Sequence, residues 1–144
     1  MSSQKFILAG IVAGILFFVL GYVLYGMLLA NFFNDNLWSP GIMKDKPEPM
    51  WALVLGQLAG GFFLAYIVGK AGATSLGAGA TVGFVAGLLI CLSFDLTFYG
   101  VGKFYVAAPL KGIATDVIIS AIVSAIGGAG AAWVYGMKRA VAAA

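Results

Sequence analysis

From Phe6 to Ala30 the chain runs 25 residues without one charged side chain. A soluble helix of that length needs a polar face, whereas a bilayer's hydrocarbon core asks for about 20 apolar residues in succession. The run is also too long for the hydrophobic stretch of a signal peptide, about 7–15 residues, so an uncleaved first span is expected. Three further apolar runs follow, at about 50–68, 76–96 and 112–137. With 62% hydrophobic and 9% charged residues, the composition lies outside that of soluble domains. The expected fold is all-α: one transmembrane domain, residues 1–144, built as a polytopic four-helix bundle.

The breaks between runs carry turn chemistry. Segment 31–49 holds Asn34, Asp35, Asn36, Pro40, Gly41, Lys44, Asp45, Lys46, Pro47, Glu48 and Pro49, which reads as the main outer loop. Pro49 suits the start of the second helix, and Lys70 closes it. A second outer connection, Tyr99 to Lys111, contains Lys103 and Pro109. Four spans put both termini on one side, with Lys5, Lys70, Lys138 and Arg139 there and Lys44, Lys46, Lys103 and Lys111 opposite. That basic count is even. Cytoplasmic termini are expected because the acid-containing loop translocates more readily than the Lys138-Arg139 pair. Trp38, Trp51, Trp133 and Tyr135 stand where interfacial anchors are expected.

Several chemistries are excluded. Histidine is absent and Cys91 is the only cysteine, which removes intrachain disulfides, Cys and His zinc sites, His-ligated haem and Ser-His or Cys-His catalytic pairs. Cys91 reads as a small packed hydrophobe. Eight scattered Lys and Arg make no nucleic-acid patch despite a net charge of +3. No catalytic motif, metal site or cofactor is expected.

Small residues at four-residue spacing let helices approach closely in lipid, where hydrophobicity gives them little reason to associate. One row reads Gly79, Gly83, Gly87, Cys91, Asp95, and another Asp116, Ser120, Ser124, Gly128, Ala132, Gly136. Ala52, Gly56 and Gly60 form a shorter row in the second helix, Gly10 and Gly14 in the first. A repeat is visible as well. Val12-Ala13-Gly14 matches Val85-Ala86-Gly87, and Gly60-Gly61 corresponds to Gly127-Gly128, the pattern of two repeated helical hairpins.

Both long rows end in a carboxylate, and an acid inside a span is costly unless paired or solvated. Two readings stand. In the structural one, Asp116 caps the fourth helix from its first turn and Asp95 pairs with Lys103 or Lys111. In the functional one, Asp95 and Asp116 line an outward-opening polar cavity with Thr97, Thr115, Gln57, Tyr22, Tyr25 and Asn31.

At Gly21-Tyr22-Val23-Leu24-Tyr25-Gly26, Phe94-Asp95-Leu96-Thr97 and Asp116 the chain resembles the small four-helix bacterial membrane proteins grouped as domains of unknown function. It departs from them at Phe98, where they carry Asn. The resemblance implies a bacterial cytoplasmic (inner) membrane location and no particular activity. Small multidrug exporters are similar in helix number, but they depend on a Glu in the first helix, and here that helix has no acid. The glycine rows favour a non-enzymatic accessory or assembly subunit, or a self-associating bundle, with lipid and other membrane subunits or its own copies as partners. The alternative is a transporter or binding protein for small molecules or ions.

Overall fold

A computed structural model describes residues 2–42 and 49–137. Lys44, Asp45, Lys46, Pro47, Glu48, Lys138 and Arg139, read above as loop and topology signals, lie outside the described residues. Among the described residues five α-helices form: α1 (Ser3–Gly21), α2 (Ala30–Asn36), α3 (Met50–Lys70), α4 (Leu76–Val101) and α5 (Leu110–Gly136). A π-helical segment, Tyr22–Leu28, prolongs α1. Four helical stretches, Ser3–Leu28 and α3 to α5, are long and apolar enough to cross a membrane. This is a multi-pass membrane architecture.

Local chemistry explains the helix starts. The Ser2 hydroxyl accepts from the Lys5 amide, and the Ser75 hydroxyl accepts from the Ala78 amide, each satisfying a donor the first turn leaves free. Pro49 immediately precedes α3. Between α3 and α4 the chain reverses through Gly72, whose φ of +67° suits a residue without a Cβ.

Three boundaries differ from the hydropathy reading. Segment 31–49 is not wholly loop, because Asn31 to Asn36 belong to α2. That helix is amphipathic: Phe33, with Leu37 four residues on, is buried, while Asn31, Asn34 and Asp35 face out. Helix α4 continues to Val101 rather than stopping near Leu96, and α5 begins at Leu110 rather than Gly112. Asp95 turns inward, so the helix has no need to end there.

Helices α1 and α3 form one antiparallel hairpin, α4 and α5 another. The first crosses at Gly61, where an added Cβ would strike the backbone of Gly10 and Gly14. The second crosses at Gly128, against the backbone of Gly79 and Gly83. The same small-residue crossing thus occurs in both hairpins, one helical turn away from the register in which Gly14 aligns with Gly87. In α3 the close approach falls on Gly61, whereas a Cβ added at Gly56 of the expected row would meet nothing within 4 Å among the other described residues. Helix α5 also packs on α1, with Gly127 against Phe17 and Gly130 against Leu16 and Val12.

Two apolar clusters result. One fills the half of the bundle that holds the start of α1 and the end of α5, called inner and the opposite half outer, with Ala9, Leu64, Ala65, Val68, Ala73, Ala131, Ala132 and Val134. The other, Phe33, Leu37, Tyr105, Ile113 and Val117, lies at the outer end. There the two connections pair with each other: Trp38 bridges Tyr105, the Ser39 amide donates to the Phe104 carbonyl at 2.9 Å, and the Val106 amide donates to the Leu37 carbonyl at 2.9 Å. Together with α2 they make a cap. Trp38 is therefore half-buried within it, while Trp51 and Trp133 face outward at 71% and 54% exposure. The Tyr135 hydroxyl donates to the Ala65 carbonyl at 2.9 Å, linking α5 to α3.

Candidate functional site

A polar layer separates the two apolar clusters. Asp95 sits six residues before the end of α4 and Asp116 six residues into α5, each about 9 Å along its helix from the outer end at 1.5 Å per residue. The antiparallel hairpin brings these depths together. The Cys91 sulfur and the two carboxylates offer ligand atoms that all lie within 4.8 Å of one another.

Each acid is held by a tyrosine from a different part of the chain. The Tyr105 hydroxyl, delivered by the cap, donates to Asp95 Oδ1 at 2.7 Å. The Tyr25 hydroxyl donates to Asp116 Oδ1 and lies 3.1 Å from Ser120 Oγ. Tyr25 belongs to the π-helical segment, in which the Leu29 amide reaches back five residues to the Leu24 carbonyl. A π segment is wider than an α-helix, and such segments recur at functional sites. Cys91 Sγ faces Asp95 Oδ2 at 3.6 Å from one turn away.

The two acids differ in surroundings. Asp95 is 4% exposed, behind Tyr105 and Cys91. Asp116 forms part of the wall of a cavity of about 300 Å³, opposite Gln57 of α3 and beside Tyr25, Ser120 and Ser124. A second, more apolar cavity of about 220 Å³ lies between α3 and α4, and Phe17, Ser120 and Ser124 border both.

Neither lysine expected to neutralise Asp95 does so. Lys103 and Lys111 are exposed, the latter with its ammonium 5.3 Å from the Phe32 ring centroid. Among the described residues neither acid has an ion pair. The helix-capping role expected for Asp116 also fails, because α5 starts early enough to leave no acid in its first turn, where the dipole effect is concentrated. At Tyr105, outside the spans, burial and then the Asp95 hydrogen bond and charge push the phenol well above its ordinary value.

Of the residues singled out from sequence, Asp95, Asp116, Tyr25 and Gln57 come together. Thr97 does not: it is exposed and donates to the Ser93 carbonyl at 2.7 Å in its own helix. Tyr22 is 53% exposed and stacks on Phe18. Asn31 faces out on α2, and Thr115 donates to the Lys111 carbonyl at 2.9 Å. Sequence reading missed Tyr105, which no periodicity could place. Cys91 packs against the outer apolar cluster as expected, and in addition faces Asp95 four residues on, a contact that the spacing could have signalled. Gly79, Gly83 and Gly87 meet Gly128, Ser120 and Ser124 across the hairpin. Ser120 and Ser124 therefore pack against the α4 glycines, Ser120 with its backbone and Ser124 with both backbone and side chain, and both also border the cavity.

Cys91, Asp95 and Asp116 could each give one ligand atom to a cation. Two hard oxygens and one soft sulfur do not suit the all-oxygen shells of calcium and magnesium, and three ligand atoms fall one short of the four protein ligands of a structural zinc site. What the arrangement demands is simpler. Two carboxylates this close need a positive charge, a proton or a cation, between or beside them. No protein-family model, no curated protein and no solved structure matches the chain.

Proposed function

We propose that this protein binds a monovalent cation of the ammonium class within the outer half of its bundle, at Asp116 with Asp95 behind it, and acts without a catalytic step. The observation that carries this reading is a pair of carboxylates, one of them on the wall of an open cavity, with no cationic partner among the described residues. Gln57, Ser120 and the Tyr25 oxygen would accept hydrogen bonds from an ammonium group, and Asp116 would supply the counter-charge. Binding at this depth fits a carrier, or a sensor whose cap responds to the ligand through Tyr105. The membrane is taken to be the bacterial cytoplasmic one, with both termini inside.

The test is saturation-transfer NMR of the purified protein with methylammonium. Asp116→Asn, and the double variant with Asp95→Asn, keep the shape and the acceptor for Tyr25 while removing charge. Both are expected to weaken binding at least tenfold, about 1.4 kcal/mol, with unchanged helicity. Equal binding in the double variant overturns the reading.

A second reading, an accessory subunit packed on other membrane helices, keeps one specific support. A Cβ added at Gly56 would meet no other part of the described chain within 4 Å, and with Ala52 this leaves a small-residue strip on the outer half of α3. The glycine rows of α4 and α5 no longer argue for it, because each is used within the chain's own hairpin. Stoichiometric co-purification of a second chain would favour this reading.

A further inference from the structure

The groove between α3 and α4 bears on what kind of ammonium ion the polar cavity would take. Its walls are Gly60, Phe63 and Leu64 on one side and Ala86, Gly87 and Ile90 on the other, none of them charged. Phe63 is 50% exposed and Ile90 36%, so the groove opens on the bundle's lateral surface, where lipid chains lie. Its deep end reaches Cys91, Ser120 and Ser124, and the last two also border the cavity of Asp116. An apolar channel from the hydrocarbon thus meets an acid pair that has no cationic partner among the described residues.

Resting on the cation-binding reading above, we propose that the ligand is an amphiphilic ammonium ion whose head sits at Asp116 and whose alkyl chain lies in the α3–α4 groove. Charge complementarity selects the head. An anionic amphiphile would meet Asp116 and Asp95 with like charge, and a neutral one would leave a proton to balance the acids and gain nothing from their charge. The groove supplies no large hydrophobic gain, because lipid is as apolar as its walls. Its role is access: the tail stays in hydrocarbon while the head crosses from the lateral surface to the acid. Phe17, whose ring packs against Gly60 at 3.4 Å from that glycine's Cβ position, stands where the head would turn from groove to cavity.

The experiment compares dodecylammonium, methylammonium and dodecanol by calorimetry, with the protein in zwitterionic lipid nanodiscs and empty nanodiscs subtracted. Ile90→Trp fills the groove from an exposed position. It is expected to weaken dodecylammonium binding at least tenfold while leaving methylammonium binding unchanged. Asp116→Asn should weaken both. Should Ile90→Trp fail to fold, Phe63→Trp enlarges the half-exposed residue on the opposite wall, narrows the groove from that side and should produce the same split. Dodecylammonium binding unaffected by the groove variant overturns the proposal and leaves the cation site standing. Dodecanol binding as tightly as dodecylammonium overturns the assignment of the head. Binding of neither cation overturns the cation site itself.

Discussion

At the scale of single residues, glycine does two opposite jobs in this chain. At Gly83 a methyl group would run into the Ser124 carbonyl of α5, so the absence of a side chain sets how closely the two helices approach. At Gly56 an added methyl would meet nothing within 4 Å from the rest of the described chain. Gly83→Ala is expected to cost about 1–3 kcal/mol, the range for overpacking a tight contact. Gly56→Ala should be neutral or gain up to about 1 kcal/mol through helix propensity. Unfolding midpoints in mixed micelles titrated with SDS check both. Equal effects at the two sites would refute the assignment of Gly83 as a crossing point. The same distinction separates Tyr25 from Tyr22, three residues apart in one apolar run, of which the first reaches Asp116 and the second stacks outside on Phe18.

Among the elements, the cap was the least legible in the sequence. Segment 31–49 looks like one polar loop because Asn, Asp, Pro and Lys dominate it. Its first part instead forms α2, since Phe33 and Leu37 find an apolar seat against Tyr105, Ile113 and Val117. The connection that carries Tyr105 is fixed by backbone bonds to Leu37 and Ser39, a pairing between distant segments that no local pattern announces. This latch has a pH signature. Tyr105 has its phenol raised above the ordinary value near 10 by burial and by Asp95. Its stabilising contribution is therefore full below about pH 10 and is lost as pH rises through the folded-state value. In a 295 nm titration, the difference between wild type and Tyr105→Phe should be flat near pH 10 and grow only at higher pH. A full phenolate step at pH 10 would mean that the latch is absent in solution.

For the whole molecule, closure depends on α5, which packs on α4, on α1 and on α3. Its inner end is tied to the start of the chain: Lys5 Nζ donates to the carbonyls of Tyr135, at 2.8 Å, and Met137, at 2.5 Å. A cation at a helix C-terminus satisfies otherwise free carbonyls and meets the negative end of the dipole. Lys5→Ala should lower stability by about 1 kcal/mol in the same SDS titration, and an unchanged midpoint would show that the tie contributes nothing. The sequence by itself determined the number and approximate place of the spans, because hydrocarbon admits only long uncharged helices. It also carried the small-residue rows, because close helix approach in lipid needs small residues at fixed spacing. Tertiary structure alone decided that Asp95 and Asp116 share one layer with Cys91, that Tyr25 and Tyr105 close on them from opposite sides, and that Thr97 and Tyr22 turn away. Periodicity gives a residue's face on its own helix, whereas rotation, depth and the path of a connection are set by what the other helices leave unfilled.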